Sequence, residues 1–317
     1  MNKKIIGLIS LGLSVTTAAL ALSGCANSGG KYKEDIEKTK IFTNKTSNAI
    51  PQTAVYSIVK EHFDSPLSNG KTDKKALVLF LDGCRVDAVP FVAPYGKGIM
   101  KASENGGIYF TYAGGVKKSF RTDTVPGFAS MLTGKWADTI DMTDNSKAKG
   151  VEPLTCVTEL AKRNLSVSFL AEWDTHINLQ YKAEFDWAKE QNLDLIAETA
   201  NGDIELHDKI LNSIDTKDII FGLYSEPDSA GHGFGFSAKN PNYISAVVNT
   251  NSLVDEAIEK VYARESYKNE DWLILVTTDH GGHGKNHYQA SVTERLTWLA
   301  VNKKLDVDKY TAESFKL

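Results

Sequence analysis

Five short apolar runs constrain this chain more than any other feature of its sequence. They lie at residues 76–81, 165–171, 219–224, 272–277 and 296–301. Each is too short for a typical globular helix but long enough for a strand buried on both faces. Helical patterns fall between them. Residues 243–262 place Ile244, Val247, Val248, Val254, Ile258 and Val261 along one side, residues 153–162 form a shorter amphipathic stretch, and residues 54–63 carry Val55, Ile58, Val59 and Phe63 at near-helical spacing. Strands separated by helices predict an α/β fold: a mainly parallel central sheet covered by helices on both faces, a three-layer sandwich.

In such sheets ligands bind beyond the carboxyl ends of the strands, and four segments place chemically capable residues there or at a turn into a helix. They are Leu81-Asp82-Gly83-Cys84-Arg85-Val86-Asp87, Thr122-Asp123-Thr124-Val125-Pro126-Gly127, Tyr224-Ser225-Glu226-Pro227-Asp228-Ser229-Ala230-Gly231-His232, and Thr277-Thr278-Asp279-His280-Gly281-Gly282-His283-Gly284-Lys285-Asn286-His287. One Asp after a strand is commonly a helix cap or turn former. Taken together the segments mean more, because four of the seven His fall within residues 228–287. Three Asp and three His are suitable donors for two divalent ions that leave room for a substrate. Paired ions of this kind serve in-line displacement at phosphorus. Thr124 is the natural nucleophile, at a helix N-terminus with Pro126 tolerated in the first turn.

The amino terminus has to be set aside before fold reasoning. Lys3 and Lys4 precede an uncharged apolar run from Ile5 to Leu22, which ends in Leu22-Ser23-Gly24-Cys25. That ending resembles the bacterial lipobox, so residues 1–24 are expected to be a signal peptide and Cys25 the lipid attachment point. Residues 25–49 are expected to form a flexible tether and residues 50–317 the folded domain. The expected location is extracytoplasmic, on the membrane through lipid on Cys25. The formal charge of −4 includes two Lys and no acid in residues 1–24, so the mature chain would carry −6. That balance argues against a stable nucleic-acid partner. Three Cys cannot build a disulfide framework; Cys84 and Cys156 read as buried thiols.

The four segments, in their order, resemble the alkaline phosphatase superfamily, and within it the nucleotide pyrophosphatase/phosphodiesterase branch. Asp82 to Asp87 matches its Asp-Gly-x-Arg-x-Asp motif. Thr124-Val125-Pro126-Gly127 with Thr133-Gly134 matches its nucleophile segment, Glu226 to His232 its Glu-Pro-Asp-x-x-Gly-His motif, and Asp279 to Gly281 its Asp-His-Gly. The resemblance implies an alkaline-phosphatase-like fold and two divalent metal ions, Zn²⁺ by analogy. One ion would be held by Asp228, His232 and a late His, namely His287 or alternatively His283. The other would be held by Asp82, Asp279, His280 and Thr124. Asn145, 21 residues after Thr124, would hold a non-bridging phosphoryl oxygen.

Two departures stand out. Gly127 replaces an Asn after the Pro, and the long insertion usual between the Asp-His pair and the late His is absent. Sulfatases of the same superfamily need a modifiable Cys or Ser in a Cys/Ser-x-Pro-x-Arg context, which Thr124 does not provide. The resemblance thus implies a hydrolase of small phosphate esters, in the first place a diesterase, working through a phospho-threonine intermediate. The alternatives are a phosphomonoesterase on the same metal core, a transferase that keeps the phospho-threonine step but passes the group to another acceptor, or a non-catalytic ligand-binding lipoprotein. Glu172, Asp174 and His176 read as a solvated loop, Arg85 and Asp87 as a pair capping the first helix, and Lys117, Lys118 and Arg121 either as a solvated basic loop or as cations that attract a phosphate.

Overall fold

The computed structural model describes residues 28–114 and 121–310. The expected signal peptide, Cys25, Lys117 and Lys118 lie outside the described residues. Eight strands form one sheet: β1 (Ile50–Pro51), β2 (Asp73–Leu81), β3 (Gly107–Tyr112), β4 (Val167–Ala171), β5 (Leu195–Thr199), β6 (Ile219–Tyr224), β7 (Glu270–Thr277) and β8 (Leu296–Val301). Their order across the sheet is β1-β3-β8-β7-β2-β6-β4-β5. All pairings are parallel except those of β8, which runs antiparallel to both β3 and β7. All five expected strands are present.

The sandwich follows from the two-residue repeat of the central strand. On one face of β2, Leu77, Leu79 and Leu81 pack with Leu206, Ile210 and Ile214 of one helix (Asp203–Thr216) and with Val247, Val254 and Ile258 of a longer one (Pro241–Tyr262). On the other face, Ala76, Val78 and Phe80 pack with Val55 and Val59 of the helix Ala54–Asp64. The same layer includes Phe128, Met131 and Leu132 of Thr124–Thr133 and Val157 and Leu160 of Cys156–Ala161. In chain order we label the helices used below α1 (Ser28–Glu37), α2 (Ala54–Asp64), α3 (Thr124–Thr133), α4 (Cys156–Ala161), α5 (Lys182–Glu190), α6 (Asp203–Thr216), α7 (Glu226–Phe234) and α8 (Pro241–Tyr262).

Sequence periodicity missed β5 because it is an edge strand whose residues are all partly or fully exposed, so it carries no buried apolar run. α4 begins later than expected because Thr155 caps it, accepting a hydrogen bond from the Thr158 N–H.

Residues 28–49 do not form a tether. α1 occupies their first part and buries Ile36, only 3% exposed, in the core. Phe42 stacks on Phe110 at 4.0 Å between ring centroids, Thr43 donates its N–H to the Ile108 carbonyl at 2.7 Å, and Glu37 accepts from the Thr46 N–H and hydroxyl. The physical reason is an edge. β1 pairs with only Thr111 and Tyr112 of β3, and the segment covers the rest of that strand, which would otherwise present open backbone groups. Replacing Ile36 with Ala is expected to lower stability by about 2–4 kcal/mol. A urea unfolding curve indistinguishable from wild type would return the segment to a tether.

Candidate active site

Three neighbouring strands, β7, β2 and β6, deliver the acids. Asp82 directly follows β2, Asp279 follows β7 by one residue, and Asp228 sits in the first turn of α7, just after β6. Gly83 makes the convergence possible. It has a positive φ of 65°, and a Cβ there would lie 2.6 Å from Asp228 Oδ1. The β7–β8 connection adds His280 and His287, whose rings stack at 3.9 Å, while His232 follows Asp228 by one turn of α7.

All three imidazoles are anchored in the same way. Each Nδ1 lies within hydrogen-bond distance of a backbone carbonyl: His280 to Gly281 at 2.8 Å, His287 to Thr122 at 2.9 Å and His232 to Lys285 at 2.8 Å. A carbonyl can only accept, so the ring proton sits on Nδ1, and in the neutral ring Nε2 is left as a lone-pair donor. The Nε2 atoms point into the cluster. His280 Nε2 lies 3.4 Å from Asp82 Oδ1 and 3.3 Å from Asp279 Oδ2. His287 Nε2 lies 3.7 Å from Asp228 Oδ1 and 3.0 Å from His232 Nε2, which is itself 3.3 Å from Asp228 Oδ2.

Two groups of donors result, Asp82/Asp279/His280 and Asp228/His280/His287, with the ligand atoms of each within 4.8 Å of one another. His280 stands between them. One oxygen of each acid (Asp82 Oδ1, Asp228 Oδ1 and Asp279 Oδ2) is buried without a hydrogen-bond partner. Facing lone pairs and orphaned carboxylate oxygens with no proton donor between them fit divalent cations held by N and O ligands. His283, by contrast, is exposed and pairs through its backbone with Asn286.

The acids respond accordingly. Burial, then the charges of Asp279 and Asp228, hold Asp82 well above the usual carboxylate range, and burial with Asp228 pushes Asp279 up to about 7. Burial alone would raise Asp228 too, but the His232 hydrogen bond and the neighbouring imidazoles bring it below its ordinary value. The Asp228 hydrogen bond in turn raises His232, whereas burial lowers His280 and His287.

Thr124 opens α3, is 3% exposed and lies with its Oγ1 3.2 Å from His280 Nε2. The Asp123 side chain makes no capping bond to this helix; it pairs instead with Arg121 at 2.8 Å. Asn145 caps the helix from 20 residues away, its Oδ1 accepting from the Val125 N–H at 2.9 Å. That bond fixes the amide so that Nδ2 is the free donor beside the nucleophile.

No family model and no curated protein sequence matches the chain. Solved structures do. A 2-O GAG sulfatase aligns with a TM-score of 0.51 at 10% identity, over 73% of this chain and 64% of its own. Ps i-CgsB aligns with a TM-score of 0.52 at 16% identity, over 75% and 70%. The fold is alkaline-phosphatase-like. Murine ectonucleotide pyrophosphatase/phosphodiesterase 5 is also similar, with a TM-score of 0.47 and 19% identity over 65% of this chain. The chain spans only 57% of that protein's length.

Within this alkaline-phosphatase-like frame both departures have structural explanations. A Cβ on Gly127 would stand 2.9 Å from Asp279 Cβ, so the bare position lets α3 press against a ligand-bearing turn. The short connection after His280 is held by Arg85, whose guanidinium donates to the Gly282 carbonyl at 2.8 Å and the Phe236 carbonyl at 3.0 Å. Arg85 also pairs with Asp87 through two bonds. The pairing is as expected, but the helix-capping role is not, because the N-cap of the short helix Val89–Val92 is Ala88 and no side chain caps it.

His176 is not on a solvated loop. It is buried, edge-on to Phe128 at 4.5 Å, with Nδ1 bonded to Gln180 Oε1. Glu172 lines a groove of about 630 Å³ with Asp203, Glu226, Ser229 and Asn249, sharing the first turn of α7 with the centre. Cys84 and Cys156 are free and buried. Among the described residues, no helix is long and apolar enough to cross a membrane.

Three contributors carry no motif of their own. Asp203 accepts the Ser225 and Glu226 N–H groups that open α7, Gln52 donates to the Gly127 carbonyl, and Gln180 donates to the Val125 carbonyl. Only tertiary structure brings them in.

Raised acids make the metal-free site sensitive to pH. Asp82, Asp279 and His232 bind protons more tightly folded than unfolded, so stability falls as pH rises through their folded values. Asp228 is ionised in both states near neutrality and does not enter. Lowered His280 and His287 oppose the trend only near and below their ordinary value of 6.5. Chelator-treated protein is therefore expected to unfold at lower urea concentration at about pH 8 than at about pH 6.5, with added Zn²⁺ removing the difference. The opposite order in the metal-free protein would show that the acids are not crowded as described.

Proposed function

We propose that this protein is a metal-dependent phosphoric ester hydrolase of the alkaline phosphatase superfamily, acting on phosphodiesters through a phospho-threonine intermediate. One observation carries the reading: a buried threonine hydroxyl at a helix N-terminus, 3.2 Å from His280 Nε2, beside three acids with orphaned oxygens. Two divalent cations, Zn²⁺ by analogy, would be held by Asp82, Asp279, His280 and Thr124 and by Asp228, His232 and His287. Once bound, they would supply positive charge at the phosphoryl group and lower the pKa of the Thr124 hydroxyl.

The chain's own residues then act as follows. Thr124 Oγ1, its proton released to solvent, attacks phosphorus, forming one P–O bond as the bond to the leaving alcohol breaks, and the alcohol departs with a proton from solvent. Water later displaces Thr124 from phosphorus, releasing the phosphate product and restoring the hydroxyl. The positive end of α3 favours negative charge at Thr124. Asn145 Nδ2 would donate to a phosphoryl oxygen as its charge grows, its Oδ1 being held by the Val125 N–H. Anchoring by backbone carbonyls keeps the three imidazoles in one tautomer throughout.

The diester preference rests on charge. Arg121 is engaged with Asp123 and Lys285 with the Gly233 carbonyl, and the preference requires that both stay so engaged rather than meet the second charge of a monoester. The Thr at the nucleophile position supports phosphoryl over sulfuryl transfer, although sulfatases are among the structural neighbours. Attachment by lipid on Cys25 and an extracytoplasmic location remain part of the proposal on the sequence alone.

The test uses protein from Ala26 onward with zinc, on bis(p-nitrophenyl) phosphate and p-nitrophenyl phosphate. Diester turnover is expected to exceed monoester turnover, to vanish with chelator, and to fall by about three orders of magnitude or more in Thr124→Ala. Activity retained in Thr124→Ala would sink the nucleophile assignment. A monoester preference would move the reading to a phosphomonoesterase.

A further inference from the structure

Val125 follows the candidate nucleophile and is gripped on both of its backbone groups by side chains remote in sequence. Asn145 Oδ1 takes its N–H at 2.9 Å, and Gln180 Nε2 donates to its carbonyl at 2.9 Å. Gln180 is fully buried and closes a π-helical turn, His176–Gln180, a geometry uncommon enough to be worth a reason. Its Oε1 bonds His176 Nδ1 at 2.7 Å, its Nε2 also reaches the Tyr181 hydroxyl at 2.9 Å, and its carbonyl accepts the Lys149 N–H at 3.0 Å. Gln180 thus touches both the nucleophile helix and the loop that carries Asn145.

That loop is pinned by a buried ion pair. Lys149 Nζ lies 2.7 Å from Glu184 Oε2, with the two side chains 2% and 0% exposed. Lys149 Nζ also donates to the Gly150 and Val151 carbonyls, and Glu184 Oε1 accepts the Thr155 N–H and hydroxyl. Burying a Lys–Glu pair is a poor way to gain stability, because desolvation offsets most of the attraction. What such a pair does supply is a single geometry, since any shift of the loop would leave a charge unpaired in the interior.

We infer that Gln180, with the Lys149–Glu184 pair behind it, is a positioning residue that sets Thr124 and Asn145 relative to one another. The inference rests on the phosphodiesterase reading for its catalytic consequence and on geometry alone for its structural one. None of the three touches substrate. They act through Val125 and the 145–155 loop, and a displacement of about 1 Å there is enough to cost catalysis about a hundredfold.

The decisive variant is Gln180→Met, which keeps side-chain length, loses every polar contact of the side chain and leaves the backbone bond to Lys149 in place. Its kcat on bis(p-nitrophenyl) phosphate is expected to fall about tenfold to a hundredfold with KM and bound zinc unchanged. Hydrogen exchange at the Val125 amide, followed by NMR, is expected to speed up at least tenfold while the amides of β2 and β6 stay protected. A second variant, Lys149→Met/Glu184→Gln, removes the ion pair without leaving a lone charge and guards against misfolding of the first; the same pattern is expected.

A wild-type kcat in either folded variant overturns the inference, as does a loss of kcat matched by loss of zinc or of the folded fraction. If the wild-type protein turns over no phosphoester, the functional reading fails, and Val125 exchange alone decides. Faster exchange in the variants upholds the positioning role, and unchanged exchange refutes it.

Discussion

Asp82, Asp228 and Asp279 bring three carboxylates to one buried point, each with an oxygen that no proton donor reaches. Like charges in that position repel, and burial strengthens the repulsion. The sheet leaves little choice. The acids follow the carboxyl ends of β2, β6 and β7, and β2 lies between the other two. Adjacent strands are about 4.8 Å apart, so acids leaving neighbouring strand ends meet within a few ångströms. Gly83 tightens the meeting further, because its missing Cβ is the space into which Asp228 fits. The three imidazoles complete the cluster, with their protons committed to carbonyls on the outside and their lone pairs turned inward. A cluster of this kind suits a positive counter-charge at this point.

Two helices aim the remaining chemistry, and both take their first-turn partners from elsewhere in the chain. α3 carries Thr124 and is capped by Asn145; α7 carries Asp228 and is capped by Asp203, whose carboxylate accepts the Ser225 and Glu226 N–H groups at 2.9 and 3.0 Å. The residues in the usual capping positions, Asp123 and Ser225, make no such bond. A local cap fixes where a helix starts. A remote cap also fixes where it points, because the acceptor belongs to another element. Asp203 itself is pushed up to about 6 by burial, with the two N–H groups holding it back from rising further.

What could be read from the sequence was what is local. Buried strands announced themselves as apolar runs, and the acids and Thr124 stood at their ends or at a helix start, so sheet, layers and the candidate ligands followed together. Asn145 was reached only by spacing from a resemblance; its capping bond to Val125 depends on a loop whose course no pattern encodes. His287 and His283 were both open for the same reason, since two histidines four residues apart on a Gly-rich connection look alike until the turn at His283 and Asn286 sends one outward. The tether expected at residues 25–49 failed differently. Tyr32, Ile36, Ile41 and Phe42 are scattered through a polar, charged stretch, yet these few apolar side chains suffice to pack the segment against the core beside a strand edge that the rest of the sheet leaves open.

The short connection between His280 and His287 gives this fold its particular character. With Gly281, Gly282 and Gly284 in it, the backbone can fold back on itself so that the two rings stack at 3.9 Å. Gly281 and Gly282 leave no room for larger residues, since a Cβ on either would fall 2.2 Å from the Thr293 carbonyl oxygen or the Phe236 ring. Arg85, itself fixed by Asp87, clamps the loop from beneath. A connection this tight can carry ligands but cannot shape a pocket over them. Beside α7 lies a separate groove, where Glu172, Asp203 and Glu226 bring three carboxyl groups and Ser229 and Asn249 uncharged polar ones. Such a wall disfavours a negatively charged group lying in that groove, and hydroxyl-bearing or cationic groups meet it without that cost.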